Sequence, residues 1–138
     1  MTSFHFPFKR KYRISSPYGW RINRFTKKRQ FHNGIDIAVP VGTFVYPTAT
    51  GKVIHIEYQK HLSGKFVRIE HANGLVSAYA HLKMKVFVKV GDVIDRNTAL
   101  GQSGNTGRST GPHLHFGIFT NLKKRETIDP ETVLVNDF

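Results

Sequence analysis

Residues 51–82 read GKVIHIEYQKHLSGKFVRIEHANGLVSAYAHL, and this stretch decides the fold. Within residues 51–58, Val53, Ile54, Ile56 and Tyr58 are the branched and aromatic residues that suit a pleated, half-buried surface. Ser63 and Gly64 mark a loop. KFVRIEH follows and sets Phe66, Arg68 and Glu70 against Val67 and Ile69, the two-residue alternation of a strand with one buried face. Asn73-Gly74 is a hairpin-turn pair, because both residues tolerate positive φ. LVSAYAHL, residues 75–82, is the returning strand.

Outward from this core the chain keeps the same character. VFVKV, residues 86–90, reads as a further short strand, turned by Gly91-Asp92 into VID. GQSGNTGRSTG, residues 101–111, is a polar glycine-rich loop, and PHLHFGIF after it makes a strand from about His113 to Phe119. Upstream, IDIAV, residues 35–39, is a short strand ended by Pro40, while KKRQFHN, Lys27 to Asn33, reads as loop. Phe4, Phe6 and Phe8 alternate and are expected to pack on the sheet. No segment keeps a 3.6-residue apolar period over three turns, and Gly and Pro punctuate the whole length. The expectation is an all-β, antiparallel sheet with little helix and long functional loops at one end.

At 138 residues the chain suits one domain, 1–138, with room for a core that needs no cross-links. It has no cysteine, so any metal must sit on nitrogen and oxygen. No stretch approaches the ~20 apolar residues of a membrane-spanning helix. The formal net charge of +12 favours anionic surroundings such as nucleic acid, lipid or a charged cell wall. Lys27-Lys28-Arg29 and Lys123-Lys124-Arg125 carry part of that charge, but no recognition helix or RNA-stacking platform accompanies them, and no specific nucleic-acid partner is expected. The opening MTSFHFPFKRKYR lacks the basic start and apolar block of a signal peptide.

Three histidine-bearing segments could carry chemistry. In His113-Leu114-His115 the two imidazoles share one face of a strand, their Cα atoms ~6.6–6.8 Å apart, while Leu114 faces the opposite layer. Alone, such a pair is more often two surface histidines. His32 and Asp36 lie in HNGID, where Asn33-Gly34 argues for a turn feeding a strand that can return both side chains to one point. His81 ends AYAHL, where a lone histidine is more often a satisfied residue at the core edge. The coincidence of the three shifts the balance. Two histidines and a carboxylate leave a tetrahedral zinc one open position for water. The chain has no HExxH, and Glu57, Glu70, Glu126 and Glu131 stand beside none of the candidates, so proton transfer falls to imidazole. His5, His55, His61 and His71 have no motif around them and read as structural or surface residues.

FHNGIDIAVPVGTFVYPTATGKV, then YAHL, then GNTGRSTGPHLHFGI resembles the M23 family of metallopeptidases, the lysostaphin and LytM type, in the order and separation of blocks that cover most of the chain. SPYGWR, residues 16–21, is similar to the segment that opens that catalytic domain. The resemblance implies the LytM-like fold and one zinc ion on His32, Asp36 and His115. It implies non-ligand catalytic histidines at His81 and His113. Its substrate would be a peptidoglycan stem peptide or cross-bridge, cut by an endopeptidase acting as a monomer at the bacterial cell wall. Anionic wall polymers become the natural partners of the positive charge. A phage-delivered lysin or the trimmed domain of an exported chain would both suit it. One departure is Gly117, where the family commonly has an acidic residue after HLHF; tuning of the groove or sheet is expected from it.

Other readings are weaker. GNTGRSTG lacks the Walker lysine and runs into a strand, against a phosphate loop. Two histidines and a carboxylate also make the non-haem iron site, but its usual spacing is HxD or HxE. A non-catalytic wall-binding or scaffold domain is the competitor from another class, and five intact site residues argue against it.

Overall fold

The computed structural model describes residues 3–135. Met1, Thr2 and residues 136–138, the ends of the expected 1–138 domain, lie outside the described residues. In chain order the strands are β1 (Phe4–His5), β2 (Ile14–Ser16), β3 (Gly19–Ile22), β4 (Arg29–His32) and β5 (Ile35–Ile37). Next come β6 (Phe44–Val45), β7 (Gly51–Gln59), β8 (Gly64–His71), β9 (Val76–Leu82) and β10 (Val93–Ile94). The last four are β11 (Gly101–Gln102), β12 (Leu114–Asn121), β13 (Glu126–Ile128) and β14 (Leu134–Val135). The helical content among the described residues is one 3-10 turn, Pro130–Thr132, and no helix there is long and apolar enough to cross a membrane.

The principal sheet is antiparallel and runs β10-β7-β8-β9-β12-β5-β2, with β13 beside β12. The stretch 51–82 supplies its middle as three consecutive strands. The turn at Asn73-Gly74 places Gly74 at φ 83°, the left-handed backbone that the pair was expected to provide. Strand β12 is the axis of the molecule. Leu114, Phe116 and Ile118 on one face are fully buried and pack with Ile35, Ile37, Val67, Ile69 and Tyr79. Each such side chain contributes about 1.5–3 kcal/mol by leaving water, which fixes the register, because a one-residue slip would expose the whole set. Phe4, Phe6 and Phe8 join the same core, as their alternation predicted.

Beneath the sheet a polar chain is fully satisfied. The Thr48 N–H donates to Tyr79 Oη at 2.9 Å. Tyr79 Oη and Ser77 Oγ are 2.7 Å apart, and Ser77 Oγ lies 2.8 Å from His71 Nε2. The Nδ1 of His71 is 2.9 Å from the Thr50 carbonyl, so Nδ1–H donates there and Nε2 accepts from Ser77. Burial holds His71 neutral by lowering its pKa, and the bond to Thr50 only partly opposes this. His71 is thus a structural residue closing the hairpin β8–β9.

Three local expectations fail. The loop expected over 101–111 begins as a strand, because Gly101–Gln102 pairs antiparallel with Phe44–Val45. The segment Lys27 to Asn33 is not all loop: Arg29–His32 pairs antiparallel with Gly19–Ile22. The ribbon is exposed, so it carries no apolar alternation for a sequence reading to find. Cross-strand ring contacts hold it instead, with Phe31 edge-on to Trp20 at 5.3 Å and the Arg29 guanidinium 4.8 Å over Trp20. VFVKV, residues 86–90, forms no strand. Its Val88 is buried, but Phe87 makes a single backbone bond, N–H to the Leu100 carbonyl at 2.9 Å, rather than a ladder.

Candidate metal centre

Register builds the site. In the β5–β12 pairing Asp36 lies directly opposite His115, so the two side chains rise from the same face, away from Leu114 and Phe116. His32 reaches the same point from the end of β4, one tight turn before β5. That turn needs Gly34: a Cβ there would stand 2.5 Å from the Phe116 carbonyl oxygen and 2.9 Å from the His115 ring.

Three atoms converge. His32 Nε2 is 3.2 Å from Asp36 Oδ1 and 3.2 Å from His115 Nδ1, and His115 Nδ1 is 3.0 Å from Asp36 Oδ1. A tetrahedral ion with bonds of ~2.0–2.1 Å has edges of about 3.3–3.4 Å, so this triangle is the right size for one metal. The protonation states suit it. His32 Nδ1–H donates to the Pro17 carbonyl at 2.9 Å, which leaves the Nε2 lone pair facing the cluster. Burial lowers the pKa of His115 toward the neutral form against the pull of Asp36. Burial acts to raise the Asp36 carboxyl, but hydrogen bonds and charge from His115 and His32 overcome it and hold the group well below the usual carboxylate range.

Two further imidazoles flank the cluster. His113 Nε2 lies 3.7 Å from Asp36 Oδ1, and Nδ1 is 2.8 Å from the Gly111 carbonyl. The His81 and His113 rings stand 4.7 Å apart, and His81 Nδ1 is 2.6 Å from the Thr106 carbonyl. Each ring therefore carries its proton on Nδ1 and leaves Nε2 as the basic nitrogen. Burial lowers His81 to about 4, with the Thr106 bond opposing and the neighbouring His113 and His115 adding to it.

The placement of His81 is not an ordinary strand position. Tyr79 and Ala80 pair with Phe116 and His115, so strict alternation would send His81 to the core face with Tyr79. Its backbone is instead left-handed, φ 61°, at an irregularity where the β8–β9 register shifts. Such a bulge re-aims the side chain, here onto the metal face. The strained conformation is held by the His81 N–H bond to the Ser63 carbonyl at 2.8 Å and by the Thr106 contact.

All five expected residues meet at one place. Sequence reasoning missed Arg21, although it stands in SPYGWR. Its Nη1 is 3.2 Å from the outer oxygen of Asp36, Oδ2, and 2.7 Å from Ser16 Oγ. It also missed Gly34 as a steric requirement. Gly117 leaves a gap: a Cβ there would lie 3.9 Å from His115 Nε2, which has no hydrogen-bond partner among the described residues. A hollow of about 560 Å³ beside Tyr12 and Leu134 contains none of these residues.

The sequence and the fold match known proteins. The chain is 42% identical over 114 residues to the peptidoglycan DD-endopeptidase ShyA of Vibrio cholerae, a match covering 82% of this chain and 26% of that relative. It spans about a third or less of the length of the curated relatives it matches. Its fold superimposes on a zinc-containing peptidase from Vibrio cholerae with a TM-score of 0.81 at 35% identity, covering 92% of this chain and 39% of that one. The catalytic domain of lysostaphin from Staphylococcus simulans gives a TM-score of 0.79 at 29% identity, covering 88% of this chain and 90% of that one. The sequence model of the family covers residues 30–130, from the hairpin strand that carries His32 to beyond β13, and the chain belongs to peptidase family M23.

Proposed function

We propose that this chain is a single zinc-dependent endopeptidase domain that hydrolyses peptide cross-links or stem peptides of bacterial peptidoglycan. The observation that carries this reading is the 3.0–3.2 Å triangle of His32 Nε2, Asp36 Oδ1 and His115 Nδ1, flanked by two imidazoles of fixed tautomer. The names of the Vibrio relatives, one a peptidoglycan endopeptidase and one a zinc peptidase, support the choice of metal and substrate.

His32, Asp36 and His115 would hold the ion. Zinc bound there supplies Lewis acidity toward a peptide carbonyl and acidifies water. The remaining work belongs to His81 and His113. Both present a basic Nε2 with Nδ1–H tied to a carbonyl, so both can take a proton from attacking water and return it to the leaving amine. Whichever of the pair carries a proton can also donate to the oxygen on which charge develops. A formal charge of +12 suits a substrate embedded among anionic wall polymers.

Digestion of purified peptidoglycan by the zinc-loaded protein, read by mass spectrometry of the muropeptides, tests the proposal. Split peptide cross-links with intact glycan are expected, together with a cleared zymogram band that a chelator abolishes. His81→Ala and His113→Ala should each lower turnover by about 10²–10⁴-fold while zinc stays bound; His115→Ala should lose the metal. Tight wall binding without new amine ends would replace this reading with a scaffold role.

A further inference from the structure

A second feature lies beside the loop that holds His81. Lys60, His61, Gly107 and Arg108 line a hollow of about 360 Å³. Its side chains are two fixed cations and an imidazole, and no acid lines it. Lys60 and His61 make no side-chain hydrogen bond or ion pair among the described residues.

The hollow is built, not incidental. It forms where the β7–β8 turn meets the glycine-rich loop. The Arg108 N–H donates to the Leu62 carbonyl at 2.9 Å, and Lys65 N–H donates to Thr106 Oγ1 at 3.0 Å. Gly64 at φ 63° and Gly107 at φ 79° touch backbone to backbone, a contact no side chain would allow. The Arg108 guanidinium is seated 4.2 Å over the Phe25 ring at the tip of the β3–β4 hairpin, so it is oriented before any ligand arrives. The hollow also adjoins the chemistry: Gly107 follows Thr106, whose carbonyl holds His81.

We infer that this hollow is a subsite for a free carboxylate of the substrate peptide, within one or two residues of the bond that is cut. The inference rests on the peptidase reading above. Gly107 and Arg108 follow directly on Thr106, whose carbonyl is 2.6 Å from His81 Nδ1, and an extended peptide advances ~3.3 Å per residue, so the carboxylate would belong to a residue close to the bond that is cut. Guanidinium and ammonium donors favour such a carboxylate over the uncharged amide of the same shape. The domain would therefore distinguish acid from amidated wall peptides.

The test uses two synthetic stem peptides identical except that one carries a free carboxylate next to the scissile bond and the other its carboxamide. The zinc-loaded protein should show a kcat/KM ratio of at least about tenfold in favour of the acid. In the K60Q/R108Q variant that ratio should fall to within about threefold of one, with an unchanged melting temperature. A wild-type ratio near one, or a ratio unaltered in the variant, overturns the inference; the wild-type comparison stands even if the variant does not fold. If the zinc-loaded protein cuts neither peptide, the peptidase reading fails, and calorimetric titration of the two peptides then decides the subsite. Preferential binding of the acid that K60Q/R108Q abolishes upholds it, and equal binding of both peptides overturns it.

Discussion

The guanidinium of Arg21 stands 3.2 Å from Oδ2 of Asp36, while Oδ1 of the same carboxylate faces His32 and His115. The two oxygens are thereby given different tasks. One is held by a cation that Ser16 Oγ steadies, and the other points into the cluster that could hold a metal. An outer partner of this kind orients the ligand it holds.

Arg21→Gln is accordingly expected to weaken metal affinity by about 10–100-fold with little change in the melting temperature of the metal-free protein. Arg21→Lys should recover part of the loss. Competition against a chromophoric chelator measures both, and an affinity equal to wild type in Arg21→Gln would remove Arg21 from the site.

Gly117 offers the opposite change. Its missing side chain would project toward His115 Nε2, with 3.5 Å to the Asn33 carbonyl as the tightest contact. Gly117→Glu should supply the carboxylate that His115 lacks and slow metal loss to a chelator. Faster loss would mean that the added charge disturbs the site instead of supporting it.

Gly34 has no such freedom. In Gly34→Ala the new methyl meets the backbone of β12 and the His115 ring together, and neither can yield without moving the other. We expect a destabilisation of about 1–3 kcal/mol and weakened metal binding. Thermal melts with and without zinc check this, and a wild-type melting curve in both conditions would contradict it.

His71 sets an acid limit on the fold. Its pKa falls below the ordinary 6.5 in the folded chain because burial disfavours the charged form. Between the two values the unfolded chain binds more protons, so stability rises with pH. The contribution is fully present above pH 6.5 and is lost as pH falls through the folded value. His71→Gln should be less stable than wild type at pH 8 yet show a shallower decline from pH 7 to pH 5, by urea denaturation. Parallel declines would show that other groups carry the acid sensitivity.

Much of this was legible in the residues. The alternation of KFVRIEH, the Asn73-Gly74 turn and the flanking β-branched runs specify antiparallel strands locally, since a period of two and a positive-φ turn leave no other regular structure. HNGID, AHL and HLH also name the chemistry, because their residue types are those that hold a metal or move a proton. The β3–β4 ribbon and the non-strand at 86–90 were not legible. One is held by exposed ring contacts, and the other lacks a ladder partner despite its β-forming side chains.

Sequence by itself determined the strand core, the all-β character and the identity of the five polar side chains. Only the tertiary structure decided that they meet. Asp36 faces His115 because packing of Ile35, Ile37, Leu114 and Phe116 fixes the β5–β12 register, a pairing between segments 79 residues apart. His81 turns to the same face only because a bulge gives it a left-handed backbone, which the pattern of its own strand argues against. Local propensity acts along a few residues, whereas a site made of distant segments is positioned by the burial energy of the core beneath it.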